Sequence, residues 1–281
     1  MKRASTADRL LAEIAADPDN DAPRQVYADL LVERGDPHGT FIHLQLQRDG
    51  LPPTKKELAR ELRLLTGNAR NWVGDLATLF TTDDIGNDLL QLHPKLSVGP
   101  TCSGSDVFCR FERGFLVAAS LRRTSPVRVR AQIAGVAKSP WLATLEELSI
   151  DAEHLSRFTR KTLPVLRGLT AWSHELADVV ASPWAPQLRL LYVWSTLDTV
   201  ERDLEWIARL PALHTLRLDL RDQPRAAAHR PILERLLAIE NLQRVELPHW
   251  HYRGTTAVYR ARDRWKAEAN AVSRTLLRGA R

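Results

Sequence analysis

The sequence predicts an α/β chain in which a small helical N-terminal domain precedes a short, irregular solenoid of strand-plus-helix units. Three observations lead there. Residues 1–80 place apolar side chains at helical spacing between proline and glycine punctuation. From Leu116 to Leu247 a Leu-x-x-Leu-x-Leu pattern returns six times. The composition, 44% apolar and 26% charged over 281 residues, is sufficient for a buried core. The expected organisation is a helical domain over residues 1–80, a connector over 81–106, repeats over 107–250 and a basic segment over 251–281.

Leu10, Leu11 and Ile14 predict a helix over residues 7–16, stopped by Asp17-Pro18-Asp19-Asn20-Asp21, because proline and Asx residues favour turns. Asp21 is placed to cap the next helix by accepting its first amides. That helix opens at Pro23, a residue suited to a first turn, and is expected to bury Val26, Tyr27, Leu30 and Leu31 before Gly35 ends it. A third runs from about Gly39 to Arg48 through Phe41, Ile42, Leu44 and Leu46. Thr54 and Glu57 have the spacing of a capping box, and Leu58, Leu62, Leu65, Trp72, Leu76 and Leu79 follow at helical spacing. Gly67-Asn68 and Gly74 are expected to divide this stretch into two helices. Helices this short are stable only when packed together.

The repeating pattern comprises Leu116/Ala119/Leu121, Leu145/Leu148/Ile150, Leu166/Leu169/Ala171, Leu188/Leu191/Val193, Leu213/Leu216/Leu218 and Leu242/Val245/Leu247. Successive starts lie 29, 21, 22, 25 and 29 residues apart, with helical patterns between them such as Val127 to Ala137, Val200 to Arg209 and Pro231 to Ile239. Alternate side chains of a strand face opposite ways, so the second and third apolar positions of each unit point inward. One unit alone cannot bury that face, whereas stacked neighbours can. An ordinary α/β sheet is the competing reading. Thr255 to Arg278 reads as a helix with an apolar stripe of Val258, Trp265, Ala269, Val272 and Leu276, able to cap the last unit.

Over residues 107–250 the pattern resembles leucine-rich repeats. That family commonly has Asn or Cys three positions after the last apolar residue, where this chain has Thr124, Glu153, His174, Thr196, Arg221 and Trp250. The departure implies a flatter, irregular stack. Leu10-Leu11-Ala12-Glu13-Ile14, Asp17 to Arg24, Tyr27-Ala28-Asp29-Leu30-Leu31, Glu33-Arg34-Gly35-Asp36-Pro37 and Phe41-Ile42-His43-Leu44-Gln45 are similar to the bacterial repeat-companion domain, which precedes leucine-rich repeats in myxobacterial and planctomycete proteins. Phe111-Glu112-Arg113-Gly114-Phe115 resembles the aromatic-Arg-Gly-Phe start of that repeat region. This resemblance implies architecture; the family has no general activity to transfer residue by residue.

The chain has no phosphate-cradling glycine loop, zinc spacing or Gly-x-Ser-x-Gly motif, and Asp17 to Asp21 lacks the glycine and distal glutamate of a calcium loop. His249-Trp250-His251 offers two imidazoles without a third ligand. No catalytic residue, cofactor or metal is therefore expected. Asp29 and Asp36 are expected to be structural, the first hydrogen-bonded on its helix and the second shaping a turn. Cys102 and Cys109 are too few for a disulfide framework and are expected to be reduced. No apolar stretch is long enough for a signal peptide or membrane span, which points to the cytoplasm.

Function is therefore expected from surfaces. If the motif positions point inward, Trp172, Leu190, Tyr192, Trp194, Arg217, Asp219 and Arg244 lie on the opposite sheet face, where exposed aromatics beside charged groups form protein-binding hot spots. A register one residue off would instead make these aromatics core. The leading expectation is a non-enzymatic module that binds a partner protein through this face. The alternative is a nucleic-acid-associated protein using Arg260, Arg262, Arg264, Lys266, Arg274 and Arg278. Residues 251–281 hold eight Lys and Arg against two acidic residues, a surplus that equals the net charge of +6 of the whole chain.

Overall fold

The computed structural model describes residues 5–48, 54–79, 109–120, 133–137, 139–220, 232, 234–236, 238–252 and 255–260. Helices and strands both contribute, so the chain is α/β, and it divides into two compact units, Met1–Val165 and Leu166–Arg281. The connector over 81–106 lies outside the described residues.

The first unit begins with α1 (Thr6–Ala16), α2 (Ala22–Glu33), α3 (Pro37–Leu46) and α4 (Lys55–Trp72). Ser5 with Asp8, and Thr54 with Glu57, form capping boxes that satisfy amides left open at the starts of α1 and α4. Leu10, Ile14, Tyr27, Ala28, Leu31 and Ile42 bury against one another and against Phe115. Val26 does not join them: it is 53% exposed, because at 100° per residue it turns away when Tyr27 and Leu31 face inward. Gly67-Asn68 does not divide α4. The helix runs on through both residues, with Asn68 Nδ2 donating to the Leu64 carbonyl at 2.8 Å, and the break comes at Gly74, whose φ is +56°. A 3-10 turn, Gly74–Leu79, follows.

Strands β1 (Cys109–Glu112) and β2 (Phe115–Ser120) form an antiparallel hairpin, and β3 (Glu147–Ser149) adds in parallel to β2. The hairpin turns through Arg113 and Gly114, both with positive φ (50° and 84°), the type I′ geometry that matches strand twist. That turn is seated in the helices. The Gly114 N–H donates to the Gln45 side chain at 2.7 Å, its carbonyl accepts from His38 Nε2 at 2.7 Å, and the Gln45 amide reaches the Phe111 carbonyl at 3.3 Å. Buried Arg24 donates to the Pro18 carbonyl and lies over the Phe115 ring, while Arg113 reaches Asp19 and Asp21 at 3.4 Å. Asp21 consequently makes no side-chain cap for α2; Asn20 accepts the Ala22 amide instead. Burial, followed by the neighbouring Arg113 charge, lowers the Arg24 pKa to about 10.

In the second unit β4 (Gly168–Trp172), β5 (Leu190–Ser195), β6 (Thr215–Leu220) and β7 (Arg244–Tyr252) pair in parallel in sequence order. Leu169, Leu191, Leu216 and Val245 align in register, and the carbonyls of Arg167, Arg189 and His214 each accept two amides from the start of the next strand. Helices Leu176–Ala181 and Val200–Ile207 follow β4 and β5, and bury Leu176, Val179, Val200, Leu204 and Ile207. The expected C-terminal helix does not begin at Thr255. Thr255–Arg260 forms β8, antiparallel to β7, as suits a run of β-branched and aromatic residues beside a strand with free backbone groups. Residues 261–281 lie outside the described residues.

Candidate interaction surface

Because the apolar motif positions occupy one face of β4 to β7, the intervening residues share the other, and the register sets them in rows. Trp172, Trp194 and Asp219 are aligned, as are Thr170, Tyr192, Arg217 and Glu246, and then Gly168, Leu190, Thr215 and Arg244. The motif residues Leu169, Ala171, Leu191, Val193, Leu216, Leu218 and Val245 are at most 4% exposed, so the register expected from sequence is the one adopted.

The Trp172 and Trp194 rings lie 4.7 Å apart at 37°, and Tyr192 meets Trp194 edge-on at 4.9 Å. Each such contact is worth about 1 kcal/mol beyond area burial. Trp172 and Trp194 are half-buried, and Leu190, Arg217 and Arg244 are likewise intermediate. Two residues depart from the expected exposure: Tyr192 is 2% and Asp219 1% exposed. The Tyr192 hydroxyl donates to Asp219 Oδ2 at 2.8 Å and the Arg217 guanidinium lies 5.1 Å above the tyrosine ring, so a polar tip and a cation hold the phenol down. Glu246, also buried, pairs with Arg217 at 3.9 Å and with Arg244. The charged groups of the face thus engage one another, and the two indoles, with Leu190, are its half-buried large apolar groups.

A polar link at the strand ends escaped sequence reading. The carboxylate of Asp203, fully buried in helix Val200–Ile207, accepts from Ser173 Oγ at 2.9 Å and from Ser195 Oγ. Ser195 also contacts Thr199 Oγ1 at 3.1 Å, and Glu175 accepts the Trp172 amide at 2.7 Å. Two serines following Trp172 and Trp194 therefore tie successive strands to one helix, without the asparagines expected of such turns. The repeated Trp-Ser dipeptide was the signal available.

Arg260 stands in register opposite Arg244, whereas Arg262, Arg264, Lys266, Arg274 and Arg278 lie outside the described residues. Among the described residues, Asp29 pairs with His43 at 3.0 Å and Asp36 accepts the His38 amide at 2.9 Å, both within the helical scaffold. No group of three or more His, Cys, Asp or Glu side chains that could hold a metal ion occurs among the described residues, and no helix there is long and apolar enough to cross a membrane. Comparison with protein-family models, curated proteins and solved structures finds no match for the chain.

Proposed function

We propose that this chain is a non-enzymatic, cytoplasmic protein-interaction module: a helical domain of the repeat-companion type leading into irregular leucine-rich repeats that hold a partner protein on the sheet face of β4 to β7. The repeat reading is supported by four parallel strands in sequence order, with register positions 22, 25 and 29 residues apart and a helix after β4 and after β5. The binding reading rests on one observation, the half-buried Trp172/Trp194 pair on the face opposite the apolar core. Tryptophans in such settings dominate interface energetics, and a rim of arginines already paired to carboxylates keeps water out at little desolvation cost.

The test is affinity capture from native cells with the unaltered chain and with Trp172→Ala and Trp194→Ala. The partner is expected to be lost from both variants, with binding of the unaltered chain tolerant of salt, while the unfolding free energy falls only by what the lost ring contacts supply, about 1–2 kcal/mol. Retention of the same partner by both variants would overturn the reading. So would a large loss of stability in each, which would make the rings core.

A further inference from the structure

We propose that the exposed face of α4 binds the phosphate backbone of a nucleic acid. Lys55, Lys56, Arg60 and Arg63 are all exposed, and at 100° per residue they share one arc of the helix together with Ala59. None of the four is ion-paired among the described residues. Arg63 Nε bonds only the Ala59 carbonyl of its own helix. The acidic residues of α4 are engaged elsewhere. Glu57 turns back to cap Thr54, and Glu61, 4% exposed, lies on the opposite side paired with Arg48 at 3.1 Å.

The placement runs against helix physics. Lys55 and Lys56 stand in the first turn, where the helix dipole disfavours cations, and Lys56, Arg60 and Arg63 form like-charged neighbours at i+4 and i+3. Local conflicts of this kind are characteristic of functional surfaces. The arc spans eight rises of about 1.5 Å, enough to follow successive phosphates. It holds no aromatic or large apolar side chain, so it lacks the anchor that a protein interface or membrane insertion needs. Backbone phosphates require only charge. The sequence also carries a second cationic segment, residues 251–281, with eight Lys and Arg against two acidic residues.

The experiment uses the full chain and a labelled mixed-sequence DNA duplex of about 20 base pairs, with anisotropy followed across a salt titration. Binding should weaken linearly in log–log coordinates. Replacing Lys55, Lys56, Arg60 and Arg63 together by Gln, which retains helix propensity, should cut affinity at least about tenfold at low salt and reduce the slope by about 3.6. Arg63→Gln alone should reduce it by about 1. Lys55→Arg with Lys56→Arg should keep both affinity and slope, and circular dichroism should show the helices intact in every variant. An unchanged slope in the quadruple variant overturns the proposal, as does a native chain without affinity for the duplex at about 50 mM salt. Binding to polyglutamate or to anionic vesicles in place of the duplex overturns it too.

Discussion

Gly114 is a position where the first unit tolerates no side chain. A Cβ built there would lie 2.2 Å from Ile42 Cγ1, and its φ of +84° disfavours other residues. Gly35 has a similar φ of +72° with nothing within 4 Å. Gly114→Ala should therefore cost about 2–4 kcal/mol, strain plus collision, whereas Gly35→Ala should cost about 1 kcal/mol from strain alone; chemical denaturation reads both. Equal losses would show that the turn is not gripped. His38, on the other side of the same turn, is 2% exposed, stacked on Trp72 at 4.7 Å and ringed by Phe41, Phe115 and Trp141. Burial lowers its pKa below the ordinary 6.5, against smaller opposing effects of the Gly114 carbonyl and Asp36. The unfolded chain then binds the extra proton first, so stability contributed by neutral His38 is full above about 6.5 and declines as pH falls below it. Glu61, raised chiefly by burial, has the opposite sign at lower pH. Denaturation at pH 7.5 and 5.5 should show this decline in the native chain and a smaller one in His38→Gln. The motif residues that form this socket, Asp19, Asp21, Arg24 and Arg113, were legible as a sequence pattern, but their mutual contacts across ninety residues of chain were not. Spacing along a helix carries no information about a loop that returns from far away.

At the level of elements, the strands were legible because period two with leucine at fixed offsets leaves one register that buries the motif residues Leu169, Ala171, Leu191, Val193, Leu216, Leu218 and Val245. Two helix starts were legible, through Pro23 in the first turn of α2 and the Thr54–Glu57 box of α4, whereas the Ser5–Asp8 box of α1 and the Asp36–Pro37 start of α3, two residues ahead of the expected Gly39, were not read. Two failures have specific causes. Gly67 reads as a breaker, yet α4 continues through it, since tertiary packing of Leu65, Ala69 and Trp72 outweighs about 1 kcal/mol of glycine propensity. Thr255–Arg260 has helix-compatible apolar spacing farther on, but its own residues favour the strand it forms with β7. The Asp203 link adds a test of how the strands are held. Asp203→Ala would remove the carboxylate acceptor of buried Ser195 and half-buried Ser173, at about 1–3 kcal/mol, while Asp203→Asn keeps one carbonyl oxygen and should cost less. Hydrogen exchange should locate the loss in the amides of β4 and β5, and equal destabilisation by both substitutions would mean that charge, rather than acceptor count, matters there.

Across the whole molecule, the chemistry is divided between the units: a cationic helix face without ion pairs among the described residues in the first, and an aromatic sheet face flanked by paired charges in the second. The net charge of +6 hid this, because it equals the surplus of residues 251–281 alone and makes residues 1–250 look balanced. Balance over a long segment is no guide to any one surface, since the acidic partners of α4 are turned away from its cations. The division has a measurable consequence. Two sites without shared side chains should respond additively to substitution, to within about 0.5 kcal/mol. Trp172→Ala with Trp194→Ala should leave the salt dependence of duplex binding unchanged, because neither ring carries charge. The quadruple Gln variant of α4 should still capture the protein partner with native affinity. The combined variant should lose both ligands. If the tryptophan substitutions also flatten the salt slope, the rings take part in duplex binding, as bases stack on aromatic side chains, and the assignment of the aromatic face to a protein partner is overturned.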